Sequence, residues 1–171
     1  IHLIWELSCH ISNQEIIEFD YTRQDKKVVH RTVKPLTIMF SEYYFYMISF
    51  ATPELEREKF KRVEDSLLVI YRLDKIKNLK VLEERFQVPY AERFEEGEFR
   101  KRIQFMYGGP LQKVRFKYSG ISVEAVLDRL PTARILHEDE SGYTIEAEVF
   151  GDGIKMWIRS QGELISEVSY R

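Results

Sequence analysis

Apolar residues in the first dozen positions recur at helical spacing. Leu3, Ile4, Leu7 and Ile11 fall on one side of a helix over residues 2–12, and Ser12-Asn13 ends it. The period then shortens to two. Ile17, Phe19 and Tyr21 alternate with Glu18 and Asp20, the pattern of a half-buried strand. Gln24-Asp25-Lys26-Lys27 reads as a polar turn, and Val28 to Phe40, rich in β-branched residues, as a second strand. Pro35 has no N–H to give a ladder, so it predicts an edge position or a bulge there. Tyr43 to Ala51 and Leu67 to Leu73 read as third and fourth strands, and Lys80-Val81-Leu82 as a short fifth. One helix followed by five short, mostly antiparallel strands predicts a small, strongly curved barrel, because closure hides the edges of such strands.

The stretch from Glu54 to Asp65 is dense in Glu, Lys and Arg and reads as a solvated helix or loop, with a lid over a pocket as the alternative. Composition changes again at Phe86 to Gly97. Glu92-Arg93-Phe94-Glu95-Glu96-Gly97 reads as a linker ahead of a short helix, Glu98 to Met106, which Gly108-Gly109-Pro110 stops. The expected organisation is a first domain over 1–88, a linker with that helix over 89–110, and a second domain over 111–171.

The last third has a new rhythm. Val114, Phe116 and Tyr118 alternate with Arg115 and Lys117 in a strand, and Ser122 reads as the N-cap of a helix carrying Val126, Leu127 and Leu130, stopped by Pro131. Arg134 to Glu138 and Tyr143 to Phe150 are strands joined through Ser141-Gly142. A helix over 152–161 then places Ile154, Trp157 and Ile158 on one face, and Leu164 to Val168 closes as a strand. The order β-α-β-β-α-β is the split ferredoxin-like arrangement, with Trp157 in its core. The chain is therefore read as α+β, mainly β.

Composition narrows the function classes. The 171 residues suffice for one ordinary domain or two small ones, and 44% hydrophobic with 32% charged residues suits a folded globular chain. A formal net charge of -2 gives no global attraction to nucleic acid, so any such binding needs a local basic patch. A single cysteine, Cys9, makes no internal disulfide, which fits a reducing, cytoplasmic setting; its thiol reads as buried in an apolar helix. No run approaches the roughly 20 apolar residues that cross a bilayer, and no signal peptide leads the chain. The chain starts at Ile1, without Met and inside an apolar pattern, which reads as a fragment.

Catalytic patterns are weak. His2, His10, His30 and His137 show no metal-ligand spacing with Cys9 or one another, and Gly108-Gly109-Pro110 lacks the Lys-Ser/Thr of a phosphate loop. No cofactor and no enzyme activity are expected. The basic and aromatic residues of the first domain carry more. His30, Arg31 and Lys34 lie on one predicted strand, Tyr44 and Tyr46 on the next, Arg72 and Lys75 on a third. Side chains two apart share a face, so Tyr44 points with Tyr46 and Arg72 with Asp74, while Lys75 points away. Arginine forks bind phosphate or carboxylate and aromatic faces stack on bases, so this surface suits a nucleotide or single-stranded nucleic acid. The plainer reading makes the aromatics core and pairs the arginines with Glu18, Asp20 or Asp74. Residue types alone favour the plainer one. In the tail, Arg115 and Lys117 read as a solvent face.

The triplet Phe45-Tyr46-Met47 followed by Arg72-Leu73-Asp74-Lys75-Ile76 resembles the WYL-domain transcriptional regulators, whose triplet is Trp-Tyr-Leu and whose later motif reads roughly R-x-D-R-I. Trp157, Ser160-Gln161-Gly162 and the strand after them are similar to the WCX extension that often follows a WYL domain. The resemblance implies an SH3/Sm-like β-barrel followed by a ferredoxin-like extension. It also implies a ligand-sensing site lined by Arg31, Phe45, Tyr46, Met47, Arg72 and Lys75. It implies a homodimeric regulator without membrane contact, reading DNA through a helix-turn-helix domain that this chain lacks. The partner it implies is a small anionic effector or single-stranded nucleic acid. Phe45 keeps apolar bulk but loses an indole N–H donor, and Lys75 keeps charge but loses the arginine fork.

Overall fold

The computed structural model describes residues 2–51, 68–87 and 94–171, and the chain divides into two compact units, 1–94 and 95–171. The first opens with α1 (His2–Ser12) and five strands: β1 (Glu15–Thr22), β2 (Val28–Ser41), β3 (Tyr44–Ala51), β4 (Leu68–Arg72) and β5 (Ile76–Arg85). They form one antiparallel sheet in the order β4-β3-β2-β1-β5. A single 3-10 turn, Leu73–Lys75, joins the two edge strands. Four residue steps from Arg72 to Ile76 reach at most about 14 Å. Crossing five flat strands takes about 19 Å at ordinary strand spacing. The sheet therefore has to curl, and the turn draws its edges together into a small SH3/Sm-like barrel. Leu7 of α1 closes the core formed by Ile17, Phe19, Val33, Met47, Tyr71, Leu73 and Ile76.

Pro35 marks a bulge and not an edge. β2 runs between β1 and β3, and its register with β3 slips between Pro35 and Thr37. A missing N–H is absorbed where the ladder is already interrupted, and the extra residue bends the long strand so that it serves both neighbours. Two other expectations change. The fourth strand ends at Arg72, so Asp74 and Lys75 lie in the 3-10 turn; the fifth runs ten residues, Ile76–Arg85, where three were expected. Charged residues on its outward side conceal β5 in the sequence. The segment Glu54 to Asp65 lies outside the described residues.

The second unit begins with α2 (Glu96–Arg102), which stops well short of Met106; Phe105 and Met106 instead adopt left-handed φ of 53° and 54°. The Gly108-Gly109-Pro110 run is a packing feature more than a helix stop. A Cβ on Gly109 would sit 2.6 Å from Gly151 Cα. β6 (Leu111–Tyr118), α3 (Glu124–Arg129), β7 (Arg134–Asp139), β8 (Gly142–Phe150), α4 (Gly153–Ser160) and β9 (Ile165–Tyr170) follow in the expected β-α-β-β-α-β order. Their sheet order, β7-β8-β6-β9, is the ferredoxin-like one, antiparallel throughout. Ser122 does not cap α3. Val123 holds the cap position and no side chain bonds there. Trp157 is core, edge-on to Phe116 with ring centroids 5.9 Å apart.

The outward face of this second sheet is neutralised pair by pair. Glu146 on β8 stands opposite both Arg115 and Arg134, and accepts from each, at 2.9 Å and 2.5 Å. Lys117 reaches Asp139 at 3.1 Å. Arg134, followed by Arg115, holds the Glu146 carboxyl down at about 2, and hydrogen bonds from Ser141, with Lys117 behind them, hold Asp139 at about 2. Unfolded carboxyls titrate near pH 4. Depressed folded values stabilise fully above the unfolded value, and that contribution disappears as pH falls through the folded one. The melting temperature of the second unit, read from Trp157 fluorescence in a Trp5→Phe background, should hold from about pH 7 to 5 and drop between about 4.5 and 2. Glu146→Gln should flatten that drop.

No described helix is long and apolar enough to cross a membrane. Among the described residues no three His, Cys, Asp or Glu side chains gather as metal ligands would.

Candidate functional site

Glu42 and Tyr43 turn β2 into β3, with Glu42 in a left-handed conformation at φ 55°. The tight turn pushes aromatic side chains outward on both sides of the hairpin. Tyr43 at its tip is 86% exposed, and Phe40, Tyr44 and Phe45 are exposed as well. Phe40 and Phe45 face each other in register, ring centroids 5.0 Å apart. Further along β3 the burial deepens, and Met47, Ile48 and Ser49 are buried.

Tyr46 stands directly opposite Arg72 across the β3–β4 ladder, so the two share a face of the sheet. Tyr44, two residues earlier, lies on that face as well. The Arg72 guanidinium carbon sits 3.7 Å from the Tyr44 ring centroid, a cation–π stack. The 3-10 turn then folds Asp74 back onto the same guanidinium: Nε donates to Oδ1 at 2.8 Å and Nη2 to Oδ2 at 2.5 Å. On the inner side, the Arg72 backbone N–H donates to the Tyr21 hydroxyl at 3.3 Å. Tyr21 in turn packs edge-on against Tyr71, and Tyr71 against Phe19. An aromatic wall thus fixes the backbone at the end of β4.

The charges follow this geometry. The Arg72 bond holds the Asp74 carboxyl below its ordinary range, and Asp74 in turn raises the already high Arg72 value. Burial raises the Tyr46 and Tyr21 hydroxyls, against the pull of the nearby guanidinium, so both stay neutral donors or acceptors at physiological pH. Asp74 fills one edge of the fork and Tyr44 covers one face. Nη1 has no partner among the described residues.

The expected site residues therefore separate. Tyr46 and Arg72 meet, and Lys75 follows in the same turn with no ion pair among the described residues. Phe45 lies on the opposite side of β3 from Tyr46, at the exposed hairpin end. Met47 is not a lining residue: it is fully buried in the barrel core opposite Tyr71, where an alternating strand places it. Arg31 is half-buried, opposite Phe19, and donates to the His30 carbonyl at 3.1 Å. None of its described contacts reaches Arg72. Arg72 itself is not a free cation, since Asp74 neutralises it, as the plainer reading of the sequence had it. Tyr44 belongs to the basic and aromatic surface read from the sequence but not to the set the resemblance implies, and Tyr21, which holds the Arg72 backbone, belongs to neither. Tyr44 was legible as the same-face neighbour of Tyr46; the Tyr21 contact depends on how the barrel closes.

A second polar cluster lies on the outward side of β1 and β2. His30 Nδ1 is 3.1 Å from Asp20 and its Nε2 3.4 Å from Glu18, and Asn78 donates to Asp20 at 2.8 Å. Asp20, then Glu18, raise the His30 value, while Asn78 and His30 lower that of Asp20. The cluster is internally paired and neutral to slightly acidic, so it offers an anion little.

A curled five-stranded barrel with a ring–arginine–carboxylate edge followed by a ferredoxin-like unit defines a barrel-plus-extension architecture. Residues 6–81, which lie within the first unit, match the family model of the WYL domain. Among solved structures the chain is similar to a CRISPR Cas-related protein, with 17% identity and a TM-score of 0.54, covering 95% of this chain and 45% of that one. It is also similar to proteasome accessory factor B/C (PafBC) of Arthrobacter aurescens, with 12% identity and a TM-score of 0.45, covering 96% of this chain and 24% of that one. The chain thus spans under half the length of either. No curated protein matches the sequence.

Proposed function

We propose that this chain is the ligand-sensing part of a bacterial transcriptional regulator, and that its WYL barrel binds an anionic effector, a nucleotide or nucleic acid, at the Tyr44–Tyr46–Arg72 edge. The observation that carries this reading is the guanidinium stacked 3.7 Å over the exposed Tyr44 and paired in register with the half-buried Tyr46. A planar cation beside two phenols offers an effector a charged donor and stacking faces at once. Lys75 adds a second cation in the same turn. The role is binding, not catalysis. The second unit acts as the WCX-type extension and carries the contacts of a cytoplasmic homodimer, through which effector binding biases a DNA-binding domain elsewhere in the protein.

A second reading has its own observation. Phe40, Tyr43 and Phe45 add exposed rings at the hairpin tip, and several adjacent rings suit successive bases of a single strand better than one nucleotide. Fluorescence titration with a mononucleotide and with short oligonucleotides, each at two ionic strengths, separates the two. A small effector gives a shallow salt dependence, and a strand gives a steep one. No binding of either at low salt would contradict both. Tyr46→Phe should weaken binding by about 0.5–1.5 kcal/mol, because only the hydroxyl is lost. Unchanged affinity in that titration would rule out a polar contact from Tyr46.

A further inference from the structure

We infer that Asp74 is the specificity-determining residue of the barrel site: it occupies the Arg72 fork as an internal stand-in for the ligand, so the site selects oxyanions that offer two acceptor oxygens in one plane. The inference rests on the reading above that Arg72 contacts the effector.

Three observations carry it. First, the Asp74 carboxylate makes the two-pronged contact that a phosphate or carboxylate ligand would make, through Nε and Nη2. Second, both partners remain within reach of solvent: the Asp74 side chain is 50% exposed and that of Arg72 27%. Solvent screens a pair so placed, and an incoming anion exchanges for the carboxylate without burying a charge. Third, the guanidinium has a contact independent of Asp74, the Tyr44 ring on one face, while the Tyr21 hydroxyl holds the Arg72 backbone below it. Loss of the carboxylate therefore leaves the cation in place and unsatisfied.

A competitor fixed two residues away acts at high effective concentration. Weakly held anions and single-point acceptors such as chloride do not displace it, whereas a bidentate oxyanion restores both hydrogen bonds. Exchange also has a structural consequence. Asp74 belongs to the 3-10 turn that joins β4 to β5, with buried Leu73 on one side of it and buried Ile76 beyond. Releasing the carboxylate removes the side-chain tie between the end of β4 and that turn, so ligand exchange is felt where the barrel closes.

The test is isothermal titration of the full chain with pyrophosphate and, separately, with citrate, in the wild type and in Asp74→Asn, Asp74→Glu and Arg72→Ala. Asp74→Asn removes the competing charge and should bind about two- to fivefold tighter, the range an exposed ion pair is worth. Asp74→Glu keeps the charge and should stay at the wild-type affinity, which guards against a fold defect at this position. Tighter binding of pyrophosphate alone identifies a phosphate ligand, and of citrate alone a carboxylate. Arg72→Ala should abolish binding in every arm. If Asp74→Asn binds no tighter while Arg72→Ala still abolishes binding, the Asp74 inference fails and the site stands. If neither the wild type nor Asp74→Asn binds either anion, both fail.

Discussion

Phe19→Ala is expected to destabilise the barrel by about 3–5 kcal/mol, the usual cost of emptying a buried phenyl site. Phe19 is fully buried, packs edge-on against Tyr71 at 5.0 Å, and stands beside Tyr21 at 6.5 Å. Each such ring pair contributes about 0.5–1.5 kcal/mol beyond its buried area. The position is hard to heal, because Ile17, Val33 and Met47 around it belong to strands locked into one ladder. Urea unfolding followed by far-ultraviolet circular dichroism measures the loss, and a change below about 1 kcal/mol would mean that the core collapses onto the space. The same substitution should weaken the site, since Tyr21 leans on this wall and holds the end of β4.

Arg72→Ala should do the reverse: remove anion binding while leaving the barrel folded. The side chain is partly exposed and its ion pair with Asp74 is of the kind that contributes at most about 1 kcal/mol to folding. Losing a charged hydrogen-bond donor from a binding site costs about 1.5–3 kcal/mol, roughly ten- to a hundredfold, which takes the affinity of an exposed site for a small anion below detection by titration. The two effects are separated by measuring the melting temperature and the pyrophosphate affinity of one preparation. A large fall in melting temperature would make Arg72 a structural residue. An unchanged affinity would place the anion elsewhere.

Much of this architecture was legible because the hydrophobic period is clean. Ile17-Phe19-Tyr21 and Val114-Phe116-Tyr118 alternate without interruption, and both become strands with those side chains inward. The 3-10 turn departs from the expected strand, yet it leaves a mark in the sequence. Leu73 and Ile76 are both buried, and a spacing of three fits that turn and not a continuing strand. β5 was underestimated for the opposite reason. Its outward side carries Lys77, Lys80 and Glu83, and Asn78 takes a left-handed φ of 53°, so its apolar signal is sparse and its pairing with β1 slips twice.

The Arg72–Asp74 pair is open to the plainer reading of the sequence, whereas the contacts between strands are not. Tyr44 and Tyr46 sharing a face follows from alternation alone. That Arg72 stands opposite Tyr46 is a matter of register between strands distant in sequence, which the turn length and the core pattern set together. The ion pair with Asp74 arises because the chain leaves extended geometry right after Arg72. Met47 shows the limit of carrying a motif over as a unit: three consecutive residues on a strand cannot all face one ligand, and its face is the core.

The central claim is that the Tyr44–Tyr46–Arg72 edge receives an anion. Two-dimensional 15N–1H correlation spectra of the chain, recorded through a pyrophosphate titration, test it most directly, because the Arg72 side-chain Nε–H gives its own resonance. Saturable shifts are expected at that resonance and at the backbone amides of Tyr44, Tyr46 and Asp74. Shifts that avoid Arg72, or that gather at Arg115 and Arg134, would contradict it.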